Sequence, residues 1–213
     1  MGNTLRNKTV VVVGRGSGIA RAVTLRARSE GARVVAAGRD KDKQAGADDD
    51  PGISAEMIDV TDDMSIASLA DRVDPVDHVV STASARARGM RADLERKNLQ
   101  LSFDTKVIGP AMLAKHFAPQ MNPGGSFVVF SGVNAFKVNV GYFGVAITNG
   151  AVDLLTRWLR CGSTRSLRVS STPAPGVRWA KRLSASTSST SAPATRPGAS
   201  EPARTWPTRC CSR

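Results

Sequence analysis

The stretch Thr9-Val10-Val11-Val12-Val13-Gly14-Arg15-Gly16-Ser17-Gly18-Ile19-Ala20-Arg21-Ala22 decides how this chain is read. Thr9–Val13 is rich in β-branched side chains and apolar on both faces, which suits a strand covered on both sides in a parallel sheet. A glycine-rich turn then leads straight into a helix-like segment opening at Ile19. Such a turn leaves the first amide N–H groups of the helix unpaired and facing outward. Glycine admits positive φ and close backbone approach, and a helix N-terminus carries partial positive charge, so the turn suits a pyrophosphate.

The chain has 213 residues, enough for one α/β domain with a sizeable core. No apolar run has the length of a membrane span and the first residues lack a signal-peptide pattern, so a cytoplasmic protein without a membrane partner is expected. The net charge of +12 is unevenly placed. Residues 161–213 hold nine Lys or Arg against one acid, Glu201, so 1–160 is only mildly basic. All three cysteines, Cys161, Cys210 and Cys211, also fall there, without metal-ligand spacing.

Up to about Leu159 strand-like and helix-like segments alternate at the spacing of βαβ units. Strands are predicted at 9–13, 33–37, 55–59, 77–81 and 126–131. Helices are predicted at 19–29, 63–72, 99–120 and 145–159. In the long helix Phe103, Val107, Ala111, Ala114 and Phe117 define one apolar face, and Pro110 is expected to bend it. The implied architecture is a doubly wound parallel sheet, Rossmann-like and three-layered, with its ligand crevice at the carboxyl ends of the strands.

Several ordered motifs make the resemblance specific. Gly14-x-x-x-Gly18-Ile19-Ala20 resembles the coenzyme loop of the short-chain dehydrogenase/reductase family, with Ala20 in place of its last glycine. Asp59-Val60-Thr61 resembles the turn that contacts adenine, and Ser81-Thr82-Ala83-Ser84 stands where the family has Asn-Asn-Ala-Gly. Gly124–Ser131 resembles the strand ending in the catalytic serine, and Gly150–Arg157 the helix that follows. The resemblance covers about residues 5–159. It implies an oxidoreductase that moves hydride between a nicotinamide coenzyme and a small carbonyl or alcohol, and it implies dimers or tetramers. The coenzyme-binding residues it implies are Gly14, Arg15, Gly16, Ser17, Gly18, Ile19, Arg39, Asp59, Val60, Ser81, Ala83 and Asn149. NADP(H) is favoured over NAD(H), because the second strand ends in Ala37-Gly38-Arg39 rather than an acid, and Arg15 and Arg39 suit a 2′-phosphate. The competing reading makes both arginines merely solubilising.

The family's catalytic pair is not intact. A phenol titrates near ~10 and needs a neighbouring cation to work at neutral pH. Aligning on Gly150–Arg157 puts Asn149 at the family's lysine and Val145 at its tyrosine; aligning on Tyr142 puts Ala146 at the lysine. Ser131 survives, with Gly132 as a competing match, and Lys106 stands where the family has an asparagine. One expectation is a rearranged centre of Ser131, Tyr142 and Lys106. The others are a noncatalytic dinucleotide-binding protein, and last a nucleic-acid binder using the basic tail. Tyr142 and Lys106 also read as an ordinary loop residue and a solvated lysine, and His78 and His116 as structural.

After Leu159 the apolar periodicity gives way to Ser, Thr, Arg, Pro and Ala, the composition of a disordered tail. A domain of 1–160 followed by a tail of 161–213 is therefore expected. Read with the third base of each codon joined to the next two, Pro197 to Ser212 permits Gly-Arg-Val-Gly-Ala-Arg-Pro-Asp-Val-Ala-Asp-Ala-Leu-Leu-Phe, which resembles the family's C-terminal region. A one-base shift near Leu159 or Arg160 is the expectation, with true divergence as its alternative. The last strands would then be missing and the fifth strand left as an edge.

Overall fold

A computed structural model describes residues 4–14, 16–40, 50–137, 139–161 and 168–173. They belong to one compact unit, Met1–Val177. Six parallel strands are ordered β3-β2-β1-β4-β5-β6: β1 Thr9–Val13, β2 Arg33–Gly38, β3 Ile53–Met57, β4 Val76–Ser81, β5 Met121–Ser131 and β6 Arg168–Pro173. The helices are α1 Gly18–Ser29, α2 Asp63–Arg72, α3 Arg96–Phe103, α4 Gly109–Phe117 and α5 Phe143–Cys161. Sheet order reverses beside β1, where β2 lies on one flank and β4 on the other, and that reversal opens a crevice at the strand exits.

Every residue of β1 is buried, so the strand is covered on both faces. Val11 and Val13 join Val35, Ile66, Leu69, Val79, Leu113, Phe117 and Phe127 in the core. Each such side chain contributes roughly 1.5–3 kcal/mol on burial. Helix α2 starts where Asp62 accepts from the Met64 amide, satisfying one of the first-turn donors.

The predicted long helix is not continuous. Residues Asp104–Ile108 form a π turn in which the Gly109 N–H reaches the Asp104 carbonyl, five residues back. Pro110 has no N–H to give Lys106, so its disturbance falls in the turn before it rather than as a bend at the proline. The inserted residue rotates the apolar face: Leu113 and Phe117 are fully buried, while Phe103, Val107 and Ala111 are only partly so. Strand β3 begins two residues earlier than predicted and stops at Met57, which leaves Asp59 in the turn beyond it.

Strand β6 corrects the expected edge. It pairs with β5 from Ser126↔Arg168 to Ser131↔Pro173, so β5 is an interior strand. Parallel pairing uses backbone N–H and C=O groups that nearly every residue carries, and a Ser/Thr/Arg composition hides it. β6 lies beyond the predicted boundary at 160. The other residues from 162 onward, on which the tail and reading-frame expectations rest, lie outside the described residues, as does Arg15. No helix among the described residues is long and apolar enough to cross a membrane.

Candidate functional site

At the exit of β1, Gly14 lies against Thr82 at the end of β4. A Cβ built on Gly14 would fall 2.0 Å from Thr82 Oγ1, and that hydroxyl is held by donation to the Val13 carbonyl at 3.1 Å, so only glycine fits. Gly18 has φ +59°, the left-handed region that favours glycine. Ser17 occupies the N-cap of α1, its hydroxyl makes no capping bond, and the first turn carries no acid. The amide donors of that turn are therefore not answered by a side-chain cap. Ser81 Oγ, one residue from Thr82, is buried without a hydrogen-bond partner.

At the exit of β2, Arg39 is exposed and engages no carboxylate in an ion pair among the described residues. Its charge reaches Asp59, whose carboxylate accepts from the Thr61 amide at 2.9 Å and the Thr61 hydroxyl at 2.7 Å. The Thr61 amide is the main reason that this carboxyl titrates below its usual range, with Arg39 adding to it. Val60 is buried, and its carbonyl lies 2.8 Å from where a Cβ on Gly109 would sit, so that helix start can approach only as glycine.

Between β5, the π turn and α5 lies a polar cluster. The Lys106 ammonium donates to Asn149 Oδ1, and Ser131 Oγ donates to the Asn149 backbone carbonyl at 3.2 Å. Ser131 and Asn149 are both buried. A Cβ on Gly132 would meet Asn149 Nδ2 at 2.7 Å, so the glycine after the serine makes room for the amide. Burial, reinforced by the Arg86 charge and opposed by Asp153, lowers the Lys106 pKa to about 8. Asp153, one helical turn beyond Asn149, keeps Oδ2 buried without a hydrogen-bond partner.

Tyr142 sits apart from that cluster. It precedes α5 and accepts from the Ala146 amide through its carbonyl at 2.8 Å. Its ring lies beneath Arg88, with Cζ 5.6 Å from the ring centroid. Seven residues separate it from Asn149, about 10 Å of helix rise, and among the described residues no hydrogen bond links it to Ser131, Lys106 or Asn149.

The family model described as enoyl-(acyl carrier protein) reductase matches residues 13–169. The chain belongs to the short-chain dehydrogenase/reductase family. A rat protein named dehydrogenase/reductase SDR family member 6 is 29% identical over 117 residues, 55% of this chain and 48% of that protein. An Arabidopsis thaliana protein named NADPH-dependent aldehyde reductase 1, chloroplastic, is 27% identical over 202 residues, 86% of this chain and 70% of that protein. The solved short-chain dehydrogenase/reductase of Mycobacterium ulcerans superposes with a TM-score of 0.74 at 29% identity, covering 79% of this chain and 67% of its own. The chain thus spans about half the length of the rat relative and about two thirds of the mycobacterial one.

Short-chain dehydrogenases/reductases bind a nicotinamide dinucleotide, and the strand exits fit one: Gly14 permits close approach, the α1 N-terminus has no side-chain cap, and Ser81 holds an unanswered hydroxyl. Aligned on Gly150–Arg157, Val145 stands at the family's tyrosine position, and it is buried; aligned on Tyr142, the tyrosine is kept. On the Gly150–Arg157 alignment Asn149 stands at the family's lysine position, and the structure joins it directly to Lys106. Sequence reasoning placed Thr82 and Gly132 in their motifs without their steric part, and it missed Arg86 and Arg88, whose alternation after β4 was the available signal. His78 hydrogen-bonds Ser126 Oγ at 2.8 Å in the sheet, away from this site, and His116 keeps a buried Nε2 without a partner.

Proposed function

We propose that this chain is an NADP(H)-linked oxidoreductase of small carbonyls or alcohols, working in the cytoplasm with a rearranged catalytic centre. The carrying observation is the Lys106–Asn149 hydrogen bond, which puts an ammonium beside the residue standing at the family's lysine position. The coenzyme, when bound, supplies or accepts the hydride. Gly14, Gly16, Ser17, Gly18 and Ile19 would receive its pyrophosphate, Asp59 and Val60 its adenine, and Ser81, Ala83 and Asn149 its nicotinamide half. Arg39, which has no ion pair among the described residues, would take the 2′-phosphate, and Arg15 would join it. This assignment accords with the name of the Arabidopsis relative. Ser131 would polarise the substrate oxygen, Lys106 would stabilise developing negative charge on it, and Tyr142, the chain's one phenol, would exchange the proton.

A second reading, coenzyme binding without turnover, is favoured by the buried Val145 at the family's phenol position on the Gly150–Arg157 alignment, and by the lack of any hydrogen bond from Tyr142 to Lys106 among the described residues. Helix α5 also leaves Ile147, Leu154 and Trp158 exposed at seven- and four-residue steps, a face suited to the dimer that family membership implies. Fluorescence titration with NADPH and NADH, followed by turnover of a panel of ketones and aldehydes with Tyr142→Phe as control, tests the proposal. Binding with turnover supports the first reading and binding alone the second. Unchanged fluorescence and melting with both coenzymes in a folded protein rejects both.

A further inference from the structure

Resting on that reading of the site, we infer that its substrate carries an anionic group, a carboxylate or phosphate, received by Arg86 and Arg88. These residues occupy the loop that leaves β4, and the loop is firmly placed. Ala87 is 1% exposed and packs against the start of α5, where a Cβ on Gly144 would fall 2.7 Å from Ala87 Cβ. Two residues on, Gly89 bridges to Tyr142 and donates its N–H to the Gly141 carbonyl at 3.0 Å. Arg88 N–H closes a short turn onto the Arg86 carbonyl, also at 3.0 Å. With Ala87 directed into the protein, the flanking arginines are both exposed.

Neither guanidinium is ion-paired among the described residues, although carboxylates are close in the chain. Glu95 is taken by Lys97 at 3.1 Å, and Asp93 packs its Cβ beside Gly89 without pairing to either arginine. Among the described residues Arg28–Asp50, Arg33–Asp74 and Arg72–Glu56 are ion pairs. Both cations instead flank the candidate catalytic groups: Arg88 covers the Tyr142 ring, and the charge of Arg86 is felt at Lys106. Exposed cations beside a buried ammonium repel one another and disfavour the empty site, and an arriving anion relieves that repulsion. A guanidinium fork matches the paired oxygens of a carboxylate or phosphate.

The test uses the full chain saturated with NADP+, so that an aldehyde binds without being reduced. Three probes share one scaffold: 4-carboxybenzaldehyde, its neutral methyl ester, and 4-formylphenyl phosphate. Calorimetry is expected to show the acid or the phosphate binding at least about tenfold tighter than the ester, the size of a charge-assisted hydrogen bond or more. The tighter of the two anions identifies which group the site takes. The Arg86→Gln/Arg88→Gln variant should bring all three probes within about twofold, whereas Arg88→Lys keeps the preference. Both positions are exposed, and circular dichroism checks the fold; Arg86→Gln alone, which leaves the Tyr142 contact intact, should lose part of the preference. Equal binding of ester and anions, or a preference that survives the double variant, overturns the inference. Failure of NADP+ to bind rejects the coenzyme reading instead, and the arginine pair is then judged by the same affinity ratio without nucleotide.

Discussion

The ammonium of Lys106 in the π turn donates directly to the side-chain oxygen of Asn149 on α5, so two helices separated by a strand share one polar bond. The cation comes from the π turn and the amide from α5. If this ammonium acts in turnover, Lys106→Met should reduce kcat by about 100-fold or more while leaving NADPH affinity within about threefold. Steady-state kinetics and coenzyme titration on the same preparation check this.

The acidity of Lys106 is separately measurable. Competitive acetylation read by peptide mass spectrometry should give it a midpoint near 8, against the usual 10.5 for lysine. The native pKa is depressed, so between about 8 and 10.5 the unfolded chain holds the extra proton, and this group's contribution to stability rises with pH across that window. Below about 8 both states are protonated and the cost of burying the ammonium is fully present.

Gly14→Ala should destabilise the domain by about 1–3 kcal/mol and abolish NADPH binding, because the new methyl meets Thr82 Oγ1. Adding Thr82→Ala removes that oxygen and should recover most of the lost stability. Urea denaturation of both variants, with coenzyme titration, separates packing from binding.

Arg39→Asp should weaken NADPH binding by roughly ten- to a hundredfold and improve NADH binding, the worth of a charge-assisted contact exchanged for an acceptor of the ribose hydroxyls. Unaltered discrimination between the two coenzymes would return Arg39 to the role of a solubilising residue.

His78 links the sheet to pH. Burial lowers its pKa from 6.5, with Asp77 opposing and Lys8 assisting the shift. The unfolded chain therefore takes up a proton first on acidification, and stability present above 6.5 is lost as pH falls toward the depressed native value. The urea midpoint should drop from pH 7 to pH 5 by an amount that His78→Gln largely removes.

Much of the sheet was legible because β1 and β2 are buried runs that are largely apolar, whose composition follows from being covered on both faces. Gly14 and Gly18 were legible for a different reason: one is pressed against Thr82 and the other has positive φ, and glycine suits both. Other features depend on contacts between distant segments. The π turn arises from a missing donor at Pro110 together with the approach of Gly109 to Val60, and a period count through Phe103 and Val107 cannot register an inserted residue. Lys106 was picked out by its place in the motif, but its bond to Asn149 spans 43 positions of sequence. β6 was hidden because strand addition depends on an exposed backbone edge more than on side-chain identity.

The fit of Gly109 onto the Val60 carbonyl makes the two ends of the crevice mechanically one object. No slack separates the Asp59–Thr61 turn from the helix start, and the amine sits three residues upstream on that same helical run. Close-packed matter transmits displacement instead of absorbing it. A shift of the Asp59–Thr61 turn is thus handed on to the helical run that carries Lys106, and no side chain larger than hydrogen at position 109 could keep that seam closed.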